Sequence, residues 1–150
     1  MSVNVGRIGL WTPSRAWPAS RAERGRAAAE IEELGFGAVW LGGATADLEL
    51  PASLLETTHR LVVGTGILNV WTEPVDVVID TYGMIGRVHP DRLLLGIGAG
   101  HKEPVERMTG QRYENPYGKV VAYLDALEAA GIPRSVCVLA ALGPRMLRLP

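Results

Sequence analysis

The sequence predicts an α/β fold in which a parallel sheet is covered by helices. Short apolar segments alternate with segments of helical periodicity four times, and a fifth apolar segment follows. The apolar segments run almost without polar interruption, which is typical of strands that are buried on both faces. Hydrophobic residues make up 47% of the 150 residues and charged residues 21%, so the chain can build one globular core. Strict alternation of strand and helix indicates parallel strands that are joined by helices.

The first unit begins with a short strand over residues 7–12, which Pro13 closes. Ser20 and Glu23 have the spacing of a capping box, in which each side chain accepts a hydrogen bond from the other residue's backbone N–H. The helix that follows is predicted to bury one apolar face, which consists of Ala27, Ile31 and Leu34.

Glycine and proline residues mark the ends of the strands and the starts of the helices in the second and third β-α units. The second strand covers residues 36–41 and ends at a Gly-Gly pair, and a short helix is predicted over residues 51–59 with Pro51 at its first position. The third strand lies in residues 61–71, whose first half is β-branched and apolar. A helix then begins near Pro74, and its apolar stripe is formed by Val75, Val78, Ile79, Tyr82 and Ile85.

The fourth and fifth strands are predicted over residues 92–97 and 136–141. A long polar loop follows the fourth strand and leads to Asn115, which is expected to cap a helix whose first residue is Pro116. A last helical segment is predicted over residues 145–149. The buried face of the helix that Asn115 caps is predicted to consist of Val120, Leu124 and Leu127.

Two architectures fit this pattern, an open doubly wound sheet and the start of an eightfold barrel. A complete barrel needs about 250 residues. On the barrel interpretation, residues 1–150 are therefore the N-terminal portion of a (β/α)8 barrel of the TIM type, with about the first five β-α units. The end of the sequence inside a helical pattern favours this incomplete barrel. Its sheet would have two open edges, which invite pairing into a homo-oligomer.

Composition and charge argue against several classes of function. The net charge is -1 and the basic residues are dispersed, which argues against a nucleic-acid partner. No segment approaches the roughly 18 apolar residues of a membrane span, and the N-terminus lacks the apolar core of a signal peptide. Cys137 is the only cysteine, and no grouping of His, Cys and carboxylates has metal-ligand spacing. We therefore expect a cytoplasmic enzyme or binding domain.

The third strand carries the clearest indication of a binding site. Gly64 and Gly66 interrupt it, and polar Asn69 and aromatic Trp71 follow at once. Glycine within a strand marks a bulge or a close approach to the backbone, and ligands bind at the C-terminal ends of parallel strands. The alternative is that the two glycines only relieve crowding in a tight turn between strand and helix.

The fourth strand ends in the glycine-rich segment 96–100, which reads GIGAG, and His101 follows it. The spacing and the place after the fourth strand differ from a dinucleotide-binding fingerprint, so we reject that interpretation. Small residues here would let a flat ligand approach, although a plain turn also explains them. His101 can donate a hydrogen bond or move a proton near neutral pH. Trp11 and Trp71 lie at or after strand ends, where either ring can wall a pocket.

Four segments together resemble the bacterial luciferase-like superfamily. They are RIGLW, GFGAVWLGG, LVVGTGILNVW and HPDRLLLGIGAG. Within the superfamily they look most like the oxidoreductases that use the deazaflavin coenzyme F420, and the resemblance extends from Arg7 to about Leu149. It implies a (β/α)8 barrel whose third strand is distorted by a cis peptide bond, which falls between Gly66 and Ile67 by motif position.

The resemblance also implies a site and a reaction. His101 would be the polar catalytic group, and Trp11 and Trp71 would shape the side on which a small organic substrate binds. The reaction would be hydride transfer between F420 and that substrate. The alternatives are an FMN-dependent monooxygenase of the same fold and a non-catalytic barrel fragment. The cofactor contacts that the resemblance implies are Gly66, Ile67, Asn69, Ala99 and Gly100.

Two departures from the family pattern change these expectations. Many relatives carry an acidic residue and a histidine after the second strand, where this chain has Gly43 and Ala44. A substrate-side acid or base is therefore missing or comes from elsewhere. The family's phosphate-binding loops follow the last strands, beyond residue 150, so this chain is expected to supply a ring pocket without a phosphate anchor.

Overall fold

The computed structural model describes residues 3–141 and 143–149, and it has the predicted alternation of strands and helices. The strands are β1 (Gly9–Pro13), β2 (Ala38–Gly42), β3 (Val62–Thr65), β4 (Leu68–Asn69), β5 (Leu93–Gly98) and β6 (Cys137–Leu139). The α-helices are α1 (Arg21–Glu33), α2 (Glu49–Leu55), α3 (Val75–Val88), α4 (Lys102–Thr109) and α5 (Pro116–Ala129). Short 3-10 turns cover Ser14–Ala16, Arg134–Val136 and Met146–Arg148.

The strands form one six-stranded sheet whose pairs are parallel. β1, β2, β3 and β5 are neighbours in that order, and β4 and β6 also pair with β5. Ile97 of β5 is paired with both Leu68 of β4 and Leu139 of β6, so these two strands flank β5 on opposite sides. β3 and β4 both lie along the same side of β5, which makes them the two halves of the third predicted strand.

A bulge separates β3 from β4. Gly64 pairs with Leu94 and Leu68 pairs with Ile97, so three residues of the third strand stand opposite two residues of β5. The peptide bond between Gly66 and Ile67 lies within this bulge and is cis, which confirms the expectation from the family resemblance. The third strand is therefore distorted at the position where its two glycines predicted a bulge.

Gly96 of β5 is the residue that admits this bulge. A Cβ atom at position 96 would lie 1.8 Å from the carbonyl oxygen of Thr65. The buried Thr65 hydroxyl donates a hydrogen bond of 2.9 Å to the Gly96 carbonyl oxygen. Because backbone rather than a movable side chain fills the space, any residue larger than glycine would push the two strands apart.

The core lies between the sheet and the helices. β3 and β5 are buried along their whole lengths, whereas β1 and β6 keep exposed residues. The apolar stripe predicted for α3 is confirmed, because Val78 and Ile85 are buried and the other members are half-buried. The largest fully buried side chains are those of Leu41, Leu48, Leu54, Leu55, Leu61, Leu68, Leu95, Ile97, Leu127, Val39, Val63 and Val78.

The buried face predicted for α1 is correct in part, because Ala27 and Ile31 are half-buried and Ile31 packs against the core, but Leu34 does not belong to it. Leu34 is 71% exposed, and the buried residues of the helix are Gly25 and Ala28. The reason is a close approach to the segment after α2, because a Cβ on Gly25 would lie 2.6 Å from a methyl group of Thr57. Small residues therefore decide which face of α1 is buried. Ser20 does precede the helix as predicted, but its side chain makes no capping hydrogen bond.

Three further element predictions need correction. α2 begins two residues before Pro51 and ends at Leu55 rather than at residue 59. The predicted polar loop after the fourth strand contains α4, a short and mostly polar helix of which only Val105 is buried. The predicted last helix over residues 145–149 contains only a 3-10 turn. Among the helices within residues 3–141 and 143–149, none has both the length and the apolar character to span a membrane.

The start of α5 is as predicted. Asn115 precedes the helix, and its side-chain oxygen accepts a hydrogen bond of 3.0 Å from the backbone N–H of Gly118. Pro116 is the first helical residue, where its missing N–H costs no hydrogen bond. The apolar face is also confirmed, and its buried members include Val120, Leu124 and Leu127.

Candidate functional site

Two clefts lie at the C-terminal ends of β4 and β5. The Asn69 cleft has a volume of about 430 Å³ and is lined by Asn69 and by residues from the loop after β2 and the start of α4. The Tyr117 cleft has a volume of about 540 Å³ and is lined by Tyr117 and by residues near the end of the chain. The two clefts share a wall that consists of Ile67, Gly100 and His101.

The structure brings the predicted cofactor contacts together at this shared wall. The Asn69 cleft is lined by Gly66, Ile67, Asn69 and Gly100, and Ala99 lines the Tyr117 cleft. The register explains the convergence, because Asn69 at the end of β4 pairs with Gly98 at the end of β5. The bulge adds one residue to the third strand. Without that residue, the side chains of β4 would point to the opposite faces of the sheet.

Gly100 allows Asn69 to lie in the cleft. It has a positive φ of 64°, which favours glycine, and a Cβ there would lie 2.7 Å from the Asn69 side-chain nitrogen. The Asn69 side-chain oxygen accepts a hydrogen bond of 3.1 Å from the backbone N–H of Trp71, which fixes the side chain. The Asn69 nitrogen is thereby held beside Gly100 at the shared wall.

Ile67 forms the apolar part of the shared wall. It is half-buried, and it lines both clefts. A Cβ on Gly98 would lie 3.0 Å from the Ile67 Cδ1 atom, so the absence of a side chain at position 98 lets Ile67 pack down on the sheet. The wall therefore offers a small aliphatic surface between stretches of backbone.

His101 is exposed at the rim of both clefts. It is the residue that precedes α4, and its side chain makes no capping hydrogen bond to the helix. Its imidazole is thus available to a bound molecule on either side of the shared wall. This is the position that the sequence predicted, next to the end of the fourth strand.

Trp11 lies beside the bulge on the face of the sheet. Its side chain is 61% exposed, and a Cβ on Gly42 or Gly66 would lie 2.3 Å or 3.2 Å from its ring. The neighbouring Trp40 is half-buried and lies in the same way against Gly64, at 2.4 Å from a Cβ. Glycines on β2 and the third strand therefore make room for two indole rings, one of which remains accessible. Trp11 lies next to Gly66 but is not among the residues that line the two clefts.

Trp71 follows the end of β4 and packs against two neighbouring side chains. Its ring stacks on Tyr113 with a centroid distance of 5.3 Å, and the Lys119 ammonium lies 4.7 Å from its centroid. It is half-buried by these contacts and is absent from the linings of the Asn69 and Tyr117 clefts. The ring lies near Lys119 of α5 and supports Tyr113, which lines the Tyr117 cleft.

A comparison with models of known protein families identifies the family of this chain. The family described as luciferase-like monooxygenase matches residues 6–134 of this chain. The chain belongs to the luciferase-like monooxygenase family. A comparison with curated protein sequences found no significant match.

Solved structures agree with the barrel fold of this luciferase-like chain. The oxygenating constituent of 3,6-diketocamphane monooxygenase from Pseudomonas putida, solved with FMN, has a TM-score of 0.65 at 15% identity over 82% of this chain and 39% of its own. An F420-dependent secondary alcohol dehydrogenase, solved with an F420-acetone adduct, has a TM-score of 0.63 at 17% identity over 85% of this chain and 42% of its own. A monooxygenase from Streptomyces bottropensis has a TM-score of 0.61 at 19% identity over 79% of this chain and 41% of its own.

These identities support the fold alone. The architecture is therefore a partial (β/α)8 barrel of the TIM type rather than an open doubly wound sheet. The chain spans 39% to 42% of the length of the three solved structures.

Sequence reasoning missed Glu73, which also lines the Asn69 cleft. One carboxylate oxygen accepts a hydrogen bond of 2.7 Å from the backbone N–H of Ala46, and the other accepts one of 2.9 Å from the Thr72 hydroxyl. The Thr81 hydroxyl donates to the Ala46 carbonyl oxygen at 2.8 Å, so both polar groups of Ala46 are bonded. The available signal was position, because Glu73 follows the third strand by only a few residues.

Tyr113 was also missed, because it falls in the predicted polar loop. Its hydroxyl donates a hydrogen bond of 3.0 Å to the Gly100 carbonyl oxygen, and burial raises the pKa of that hydroxyl. Its backbone N–H donates to the Glu106 carboxylate at 2.9 Å. Tyr113 therefore stabilises the backbone of the shared wall and also supports Trp71.

The Cys137 thiol is not arranged as a nucleophile. Burial raises the pKa of the half-buried Cys137 thiol to about 11, although nearby Arg134 opposes the shift. Such a thiol is a poor nucleophile near neutral pH. Within the part of the chain that the structure describes, no group of three or more His, Cys, Asp or Glu residues could hold a metal ion.

Proposed function

We propose that this luciferase-like chain provides the ring-binding part of an oxidoreductase site, and that the ring is that of coenzyme F420. The proposed reaction is hydride transfer between F420 and a small organic substrate. One observation supports this proposal above the others. The bulge between β3 and β4 and the end of β5 place an aliphatic side chain, exposed backbone and an imidazole at one shared wall between two clefts.

The residues present fit a planar ring. The two clefts have volumes of about 430 and 540 Å³, within the range of small-molecule sites. Ile67, Ala99 and Gly100 would hold the ring through apolar and backbone contacts, and the Asn69 amide would donate a hydrogen bond to its edge. When bound, F420 supplies the hydride-transfer chemistry, and the protein supplies position and electrostatics.

His101 and Trp11 would act on the substrate. The exposed imidazole of His101 can donate a hydrogen bond, or accept a proton at an unprotonated ring nitrogen, near neutral pH. Trp11 offers an accessible aromatic face next to Gly66, on which an apolar part of the substrate can lie. We propose His101 as the catalytic residue and Trp11 as a substrate contact. Trp71 would act on the substrate side only through Tyr113, on which it stacks.

FMN is the second candidate cofactor. The family description is that of monooxygenases, and one solved structure of the same fold contains FMN while another contains F420. Both ring systems are planar and tricyclic, so the shared wall alone does not separate them. Our preference for F420 rests on the four sequence segments that look most like the F420-dependent branch.

Titration of the purified chain with F420 and with FMN tests the proposal, with cofactor absorbance and tryptophan fluorescence as the signals. We expect saturable binding of F420 and weaker binding of FMN. Ile67→Asp should abolish binding, whereas Met84→Asp, which changes a 54% exposed apolar residue on α3, should leave it unchanged. Saturable binding of FMN alone would favour the monooxygenase alternative, and a folded chain that binds neither compound would favour a non-catalytic fragment.

A further inference from the structure

The wall of the Asn69 cleft that comes from the loop after β2 has no titratable side chain among its lining residues. Its lining residues are Gly43, Ala44 and Thr45. The carboxylate among the lining residues comes from Glu73, which follows β4 and accepts a hydrogen bond of 2.7 Å from the N–H of Ala46, next to Thr45. Among the residues that line the cleft, the acidic group therefore comes from the segment between β4 and α3.

The contacts of Glu73 leave part of its capacity free. Each carboxylate oxygen accepts one protein hydrogen bond, from the Ala46 N–H at 2.7 Å and from the Thr72 hydroxyl at 2.9 Å. A carboxylate oxygen has two lone pairs, so each can accept a further hydrogen bond. The side chain is half-buried and fixed by these contacts, which reduces the entropy that ligand binding would otherwise cost.

The charges around the cleft favour one class of ligand. Among the residues that line the Asn69 cleft, Glu73 is the one carboxylate, His101 carries the one imidazole, and no lysine or arginine is present. A ligand with a hydroxyl or ammonium group can donate a hydrogen bond to Glu73. A ligand carboxylate would be repelled by it, at short range and in a partly water-excluded space.

We propose that Glu73 is a specificity-determining residue, which accepts a hydrogen bond from a hydroxyl or ammonium group in the Asn69 cleft and disfavours carboxylate ligands. That this ligand is the substrate rests on the proposed function. The preference itself is a property of the cleft and does not require a bound cofactor.

Three probes that share an isopropyl group test the preference: isopropylammonium chloride, 2-propanol and sodium isobutyrate. Each is titrated into the ¹⁵N-labelled, cofactor-free chain at matched ionic strength, and the amide signals of Ala46, Thr72 and Gly100 are followed. We expect saturable shifts with isopropylammonium, weaker ones with 2-propanol and none at these amides with isobutyrate. Equal binding of the ammonium and carboxylate probes would overturn the proposal without any variant.

Two variants separate the charge of Glu73 from its effect on the loop. Glu73→Gln removes the charge but keeps an oxygen that can accept from the Ala46 N–H, and it should weaken isopropylammonium binding about tenfold. Thr81→Val removes the hydrogen bond to the Ala46 carbonyl oxygen without changing the charge, and it should keep the preference. Hydrogen exchange at the Ala46 amide reports whether the Glu73 contact survives in each variant.

The outcomes also separate this inference from the proposed function. An equal loss of preference in Thr81→Val and Glu73→Gln would mean that loop position, and not the carboxylate, selects the ligand. Unchanged isopropylammonium binding by Glu73→Gln would exclude Glu73 as the acceptor. Failure of both F420 and FMN to bind would overturn the proposed function and leave the probe result standing.

Discussion

The two ends of the third strand are held in different ways. Where β3 begins, the Glu32 carboxylate accepts hydrogen bonds of 2.6 to 3.1 Å from the backbone N–H groups of residues 59–61. From the other side, Arg92 donates to the backbone carbonyl oxygens of Leu55, Thr58 and Leu61 at 2.8 to 3.4 Å. Where β4 ends, glycines and open clefts replace these charged contacts.

The different contacts at the two ends of the third strand indicate that one end stabilises the fold and the other binds a ligand. Residues 61–65 are fully buried and their entry is fixed by two charged side chains, whereas Gly66, Ile67 and Asn69 are half-buried at the clefts. In barrels of this type, the end where strands begin maintains the fold and the end where they finish carries the chemistry. The bulge is the boundary, so substitutions should damage stability up to the bulge and ligand binding beyond it.

The largest effect is expected for Gly96→Ala, at the boundary itself. The new Cβ would lie 1.8 Å from the Thr65 carbonyl oxygen, and backbone must move to relieve the overlap. We expect a loss of about 3 kcal/mol or more in the free energy of unfolding, measured by urea denaturation. The matched control is Gly83→Ala in α3, where a Cβ meets nothing within 4 Å. The control should gain about 0.5 to 1 kcal/mol, and a near-neutral Gly96→Ala would show that the bulge is not required.

The second-largest loss of stability is expected at the N-terminal end of β3, which Arg92 holds in place. Arg92→Met keeps much of the aliphatic stem but removes the donors to Leu61, Leu55 and Thr58, whose carbonyl oxygens would lose partners. We expect a loss of about 2 kcal/mol in urea denaturation. Binding of F420 per folded molecule should be unchanged, because Arg92 precedes β5 and the clefts lie beyond its other end. A stable variant with weakened binding would contradict the division of roles.

Glu32 should give a smaller, pH-dependent effect. Burial acts to raise the pKa of Glu32, but the backbone N–H groups of Arg60, His59 and Leu61 outweigh it and lower the pKa below 4.5. The carboxylate therefore stabilises the fold above its unfolded-state pKa, and that contribution is lost as the pH falls through the folded-state pKa. Glu32→Gln should cost about 1 kcal/mol near neutral pH after allowance for solvent access.

The pH profile of this variant is the decisive measurement. The difference in unfolding free energy between wild type and Glu32→Gln should shrink below about pH 4.5. Glu33→Gln, on the exposed side of the same helix, serves as the control and should follow the wild type. A Glu32→Gln difference that stays constant down to acid pH would mean that its hydrogen bonds do not favour the ionised form.

The sequence predicted the elements that depend on neighbouring residues and failed where contacts are distant in the chain. Apolar runs and Asn115-Pro116 identified most of the strands and the start of α5, because burial and capping act on neighbouring residues. The face of α1 was predicted only in part because Gly25 packs against Thr57, a contact 32 residues away that leaves no periodic signal. α4 was missed because a short helix with one buried residue resembles a polar loop.

The sequence predicted where the backbone of the site is distorted, but it predicted the directions and contacts of the side chains less well. Glycines around the bulge marked the shared wall, because close approach of strands excludes a Cβ. The direction of Trp71 depends on its packing against Tyr113 and Lys119, which only the folded chain brings together. Glu73 was missed for a similar reason, because its role depends on the neighbouring loop at Ala46.

The smallest effect on stability, with a large effect on binding, is expected beyond the bulge for Asn69→Ala. The variant loses the hydrogen bond to the Trp71 N–H, but Asn69 is half-buried and water can replace it, so the cost should stay below about 1 kcal/mol. F420 affinity, measured by absorbance titration, should fall about tenfold because the amide donor beside Gly100 is lost. Asn69→Asp keeps the acceptor for Trp71 but not the donor, so it should bind as weakly as Asn69→Ala while remaining as stable as the wild type. Wild-type affinity in Asn69→Asp would show that the turn at Trp71, and not the amide nitrogen, is what the site needs from this residue.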